Sequence, residues 1–186
     1  RDDPLRNKEF IMAVWNVIDH TELSGTATSW EKTSIGTSYD HLYIMTSQRV
    51  DASVYEQSTD LQFNGGGASV YSYTRLEART ATPASGRGSA QAQITGPYST
   101  GTSVLADTFA TSTIWIPNYA NTSNYKQAII TMTLPNNSTT DYQWRVMQTA
   151  GLWGSTSAID SIKLLTSGGN FVQYSTFTLY GINGAG

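Results

Sequence analysis

A chain of 186 residues with 13% charged side chains and a formal net charge of −3 has little long-range attraction for a nucleic-acid duplex or an anionic membrane. It holds no cysteine, which excludes a disulfide framework, thiolate zinc sites and a cysteine nucleophile. The 39% hydrophobic and 11% aromatic content argues against disorder, and the length suits one domain that buries roughly 70% of its unfolded surface.

Taken in chain order, the first nine residues, RDDPLRNKE, carry three basic and three acidic side chains and no apolar pattern. They read as an extended N-terminal arm over 1–9, in front of a single domain over 10–186. The next run, KEFIMAVWNVIDHTEL, has Phe10, Val14, Val17 and Ile18 at helical spacing and Phe10, Met12 and Val14 at strand spacing. Its β-branched and aromatic content favours a strand. DLQFNGGG alternates Leu61 and Phe63 before glycines 65–67, and SVYSYTRLEA restarts the alternation, which is the pattern of a hairpin. Ala78 to Ser103 is rich in Gly, Pro, Ser, Thr and Ala and reads as a long surface loop with a short strand near Gln91–Ile94. Loops of that length in compact domains commonly contact a partner.

Beyond it the period of two dominates. Ile114 and Ile116 point one way and Trp115 the other; Ala128, Ile130, Met132 and Leu134 share a face. In DYQWRVMQ the residues Tyr142, Trp144 and Val146 share a face whose apolar character favours burial. Ile162 with Leu164, and Phe177 with Leu179, complete the set. Turn signals at Pro117-Asn118, Pro135-Asn136-Asn137 and Ser167-Gly168-Gly169-Asn170 separate the runs. About eight to ten short strands with frequent turns make the fold class all-β: an antiparallel, jelly-roll-like β-sandwich.

The chemistry-bearing residues do not assemble into an active site. Asp40, His41 and Ser47 lie on or beside one strand, and as neighbours Asp40 and His41 point to opposite faces. They lack the orienting hydrogen bond and the strained serine turn of a hydrolase, and no G-x-S-x-G occurs. His20 beside Asp19 meets the same objection. The acids Asp51, Glu56, Asp60, Glu77 and Asp107 cannot be paired from sequence into a glycosidase couple. A calcium site using the Asp51–Asp60 loop lacks the D-x-D-x-D-G pattern. No enzymatic activity and no cofactor are therefore expected. Among Trp30, Trp115, Trp144 and Trp153, most are expected in the core; Trp153, in the turn-like AGLWGST, is the candidate for stacking on a glycan. The sequons at Asn121 and Asn136 are expected by chance in a chain so rich in Ser and Thr.

The order LSGTATSWEKTSIGTSYDHLYI, LQFNGGG, YSY, IWIPNY, LW, AIDSIKLL and GGNFVQYSTFTLYGI, spanning Leu23 to Ile182, resembles a family of tailed-bacteriophage virion proteins built on jelly-roll or lectin-like β-sandwich modules. Its most distinctive parts are Y-x-H-L around His41, I-P-N-Y at Ile116–Tyr119 and the closing F-T-L-Y-G-I. None of these is a catalytic motif, and the resemblance makes His41 a structural residue. It implies a capsid decoration or cement protein on the exterior of the virion. The implied partners are the major capsid protein and further copies of the chain, as a homotrimer, with no nucleic acid and no membrane. The arm residues Arg1, Asp2, Asp3, Pro4, Leu5, Arg6, Asn7 and Lys8 become the capsid-contact candidates. The alternative is a glycan- or receptor-binding module of a phage tail or fibre.

Overall fold

Strand-forming runs separated by Gly, Asn and Ser produce two antiparallel sheets. A computed structural model of the chain describes residues 14–79, 82–136 and 144–183. Its strands are β1 (Val14–Glu22), β2 (Ser29–Lys32), β3 (His41–Gln48), β4 (Glu56–Phe63), β5 (Tyr71–Ala78), β6 (Pro83–Gln91), β7 (Ile94–Thr100), β8 (Ala110–Pro117), β9 (Lys126–Leu134), β10 (Arg145–Trp153), β11 (Ile162–Thr166) and β12 (Thr176–Asn183). The described residues contain no helix. The larger sheet has the order β1-β12-β3-β8-β9-β10-β5-β6, the smaller β2-β11-β4-β7. Only the β5–β6, β8–β9 and β9–β10 connections stay within one sheet; every other connection crosses the sandwich.

The core lies where the two inner faces meet. Leu42, Ile44, Ile114, Ile116, Ala128, Ile130, Phe177 and Leu179 come from the larger sheet. Trp30, Leu61, Phe63, Ile94, Ile162 and Leu164 come from the smaller. Each large aliphatic or aromatic side chain removed from water here contributes about 1.5–3 kcal/mol. Trp30 stacks on Phe177 with centroids 5.5 Å apart, tying β2 to β12 across the gap. At Gly151 the sheets pack tightly. A Cβ there would lie 2.6 Å from the Ile94 side chain, so β10 carries no side chain at this inward position.

One end of the interior is polar. Thr46 and Ser112 share a 2.6 Å hydrogen bond, and Thr59 and Ser99 one of 2.8 Å, all four buried. Gln48 is fully buried, and no group among the described residues hydrogen-bonds its side-chain amide.

The structure departs from the sequence reading in four places. The described residues form twelve strands, more than the eight to ten expected. The stretch read as a long loop contains β6 and β7, and the expected short strand at Gln91–Ile94 is the turn between them. β6 had no apolar pattern to find because it is an edge strand, exposed along most of its length. β10 is turned over: Arg145, Met147, Thr149 and Trp153 face inward, while Val146 is 51% and Trp144 37% exposed. The ambiguous N-terminal run does form a strand from Val14. It lies at a sheet edge with Val14, Trp15 and Val17 exposed rather than in the core.

Candidate interaction face

The inversion of β10 follows from charge pairing. Arg145, 2% exposed, points between the sheets, with its Nη2 2.9 Å from Glu56 and its Nε 3.2 Å from Glu77. Its guanidinium carbon sits 4.0 Å from the centroid of the Tyr98 ring. Arg79 lies 2.6 Å from the same Glu56 oxygen, and Arg75 donates to the Tyr98 hydroxyl at 3.0 Å. Burial raises the Glu56 carboxyl above its ordinary value, against the pull of Arg145 and Arg79 in the other direction. A buried arginine left unpaired costs several kcal/mol, so these carboxylates are what allow β10 to present it inward. The two glutamates thus cross-link β4 to β5 and β10 through arginines, and neither faces an open cleft as an acid or base would.

Asp60 and Asp51 are also committed, whereas Asp107 is exposed. Asp60, buried, accepts from Ser58 at 2.7 Å and from Gln93 at 2.5 Å, and burial raises its carboxyl above the usual range. Asp51 accepts from the backbone and side chain of Asn170, which hold its carboxyl below the usual range. Among the described residues no three His, Asp or Glu side chains converge as metal ligands would.

His41 faces the outside of the larger sheet. Its Nδ1 accepts the Asn118 N–H at 3.1 Å, which leaves the ring proton on Nε2 in the neutral form. Its ring lies 4.9 Å from Trp115. Ser47 is at the other end of β3, six residues and about 20 Å along the strand, so no nucleophile–base pair exists here. His20 shares a 2.8 Å hydrogen bond with Thr178 on the same sheet.

Trp153 is not a platform. It is 7% exposed and packs between Tyr71 and Phe63, at centroid distances of 6.3 and 5.7 Å. The turn-like sequence after it starts only at Gly154, and Trp153 itself is the last inward residue of β10. The arm candidates Arg1 to Lys8 lie outside the described residues.

Among the described residues no element packs over the outer face of the larger sheet. The strand register aligns Val17, Tyr180, Tyr43, Trp115, Ile129, Ala150 and Thr74 in one row across the sheet. At the β1 end the rings interlock: Trp15 packs edge-on against Tyr43 at 5.0 Å and Tyr180 at 5.7 Å. At the other end three aliphatic side chains stand exposed among Thr74, Thr131 and Gln148. Leu76 is 62% exposed, Val146 51% and Ile129 46%. Leu76, Ile129 and Ala150 border a hollow of about 420 Å³. Leu76 also borders a second, of about 310 Å³, with Ala78, Pro83 and Val146. Exposed aliphatic side chains gathered on one face are a feature of interaction surfaces.

Ile129 and Leu76 escaped the sequence reading because each is apolar in the polar phase of its strand, and Val146 because its strand is turned over. Ile129 shares the outward phase of its strand with Gln127, Thr131 and Thr133; Leu76 shares its own with Ser72 and Thr74. The signal was an out-of-phase aliphatic in strands whose inward set was already complete. No protein-family model, no curated protein and no solved structure matches the chain.

Proposed function

We propose that the chain is a structural protein of a tailed-bacteriophage virion, a decoration or cement protein that binds the assembled head shell and stabilises it without chemical turnover. The observation that carries this reading is the cluster of Leu76, Ile129 and Val146 on an otherwise unpartnered sheet face. The motifs between Leu23 and Ile182 that resemble phage virion proteins supply the identity of the partner, the major capsid protein. A protein that binds the assembled shell and not its dissociated subunits stabilises the shell by mass action. Copies placed around a threefold position, as a trimer on the capsid exterior, add avidity to modest individual contacts.

Mass analysis of heads separated from tails should find the chain in the head fraction. Purified heads stripped of it should take it up again, and Leu76→Asp combined with Val146→Glu should reduce uptake at least tenfold while leaving the thermal unfolding temperature nearly unchanged. Recovery of the chain only with tails, or unchanged uptake of the double variant, would refute the docking role of this face.

A further inference from the structure

Beyond the apolar hollows, the same sheet face ends in a concavity of a different character. It holds about 500 Å³ and is bordered by Pro117, Asn118, Asn124, Tyr125, Gln127 and Leu152. Tyr125 is 59% exposed and makes no hydrogen bond through its hydroxyl among the described residues. The side-chain amides of Asn118, Asn124 and Gln127 likewise make none. No Lys, Arg, Asp, Glu or His borders the concavity.

The segment that carries these groups is held firmly by other atoms. Asn118 N–H donates to His41 Nδ1 at 3.1 Å, and the Asn118 carbonyl accepts from Asn121 N–H at 3.1 Å. The Asn121 side-chain oxygen accepts from the N–H groups of Ser123 at 2.7 Å and Asn124 at 3.0 Å. Lys126, 1% exposed, turns inward beneath the turn and donates to the carbonyls of Asn124 at 2.7 Å and Thr156 at 3.1 Å. The backbone is therefore fixed while the ring and the amides remain free. The loop is thus preorganised, and little backbone entropy remains to be lost on binding.

We infer that this concavity binds a neutral saccharide, the sugar's C–H face lying on the Tyr125 ring and its hydroxyls meeting the amides of Asn118, Asn124 and Gln127. Each amide offers a donor pair and an acceptor, which match the mixed donor and acceptor character of vicinal hydroxyls. An exposed ring supplies apolar contact to the sugar's carbon framework, and the absence of a bordering charge selects against acidic or basic sugars. This site uses side chains distinct from Leu76, Ile129 and Val146, so it stands or falls independently of capsid docking.

The test is a 1H–15N NMR titration of the full chain with glucose, galactose, mannose, rhamnose, N-acetylglucosamine, N-acetylgalactosamine and their common disaccharides. At least one of these sugars should shift the side-chain amide signals of Asn118, Asn124 and Gln127. Tyr125→Ala should weaken that binding about tenfold, with the rest of the spectrum superimposable on that of the native chain. Gln127→Ala should weaken it severalfold. A panel in which no sugar moves the three amides, or unchanged affinity in Tyr125→Ala, would overturn the assignment.

Discussion

The hydroxyl of Tyr71, on β5, accepts the Phe63 N–H at 2.9 Å and donates to the Phe63 carbonyl at 3.1 Å, on β4 of the opposite sheet. The β4–β7 ladder ends at Leu61↔Ile94, and the phenol occupies the place of the next cross-strand partner. One side chain thus crosses the sandwich and completes the backbone pairing of the smaller sheet. Burial raises the Tyr71 pKa, which keeps the hydroxyl protonated and able to serve both roles.

Tyr71→Phe should therefore destabilise the fold by about 1–3 kcal/mol, since it leaves a buried N–H unsatisfied while changing the packing very little. Urea denaturation at neutral pH measures this. A loss under a few tenths of a kcal/mol would mean that another group satisfies Phe63.

Trp153→Ala should behave as a core truncation. With Trp153 packed between Tyr71 and Phe63, the variant should lose about 3–5 kcal/mol. Calorimetry should show a lowered unfolding temperature. A variant as stable as the native chain would place the indole outside the core after all.

The buried carboxylates give the stability profile an unusual slope. Glu56 in the folded chain binds a proton more readily than at its ordinary value of 4.5. Between that value and the raised one the folded state holds more protons than the unfolded state, so this group's contribution grows as pH falls through the window and is lost as pH climbs above it. Asp60, also raised by burial, acts in the same sense; Asp51, lowered by Asn170, acts in the opposite one. Each pH unit of the window is worth up to about 1.4 kcal/mol. The difference in urea stability between the native chain and Glu56→Gln should therefore widen in favour of the native chain on acidification across it. Parallel curves would assign the slope to other groups.

Gln48→Leu should raise stability by about 1 kcal/mol. It removes an amide that no described residue hydrogen-bonds and keeps nearly the same volume. A destabilised variant would show instead that internal water bridges the amide.

The parts of the fold that were legible in the sequence are those where a strand's own pattern decides its orientation. β9 alternates Ala128, Ile130, Met132 and Leu134 inward, with Ile129 the single large apolar residue facing out. β10 was illegible because its orientation depends on carboxylates from β4 and β5, remote in the chain, that neutralise Arg145. β6 was illegible because an exposed edge strand requires no apolar side chains. The candidate site divides in the same way. The distance between His41 and Ser47 followed from strand geometry, but the exposure of Tyr125, just before β9, and the burial of Trp153, at the end of β10, depend on how a strand meets its turn.

The two ends of the larger sheet differ, and each is irregular. β1 is bulged between Val17 and Asp19, and the β5–β6 ladder slips between Tyr71 and Tyr73. Such irregularities, with a Gly- and Ser-rich final strand, deny a neighbouring copy a straight template of amide groups. Crowded copies thus have no easy route to side-by-side polymerisation through the larger sheet into a continuous ribbon.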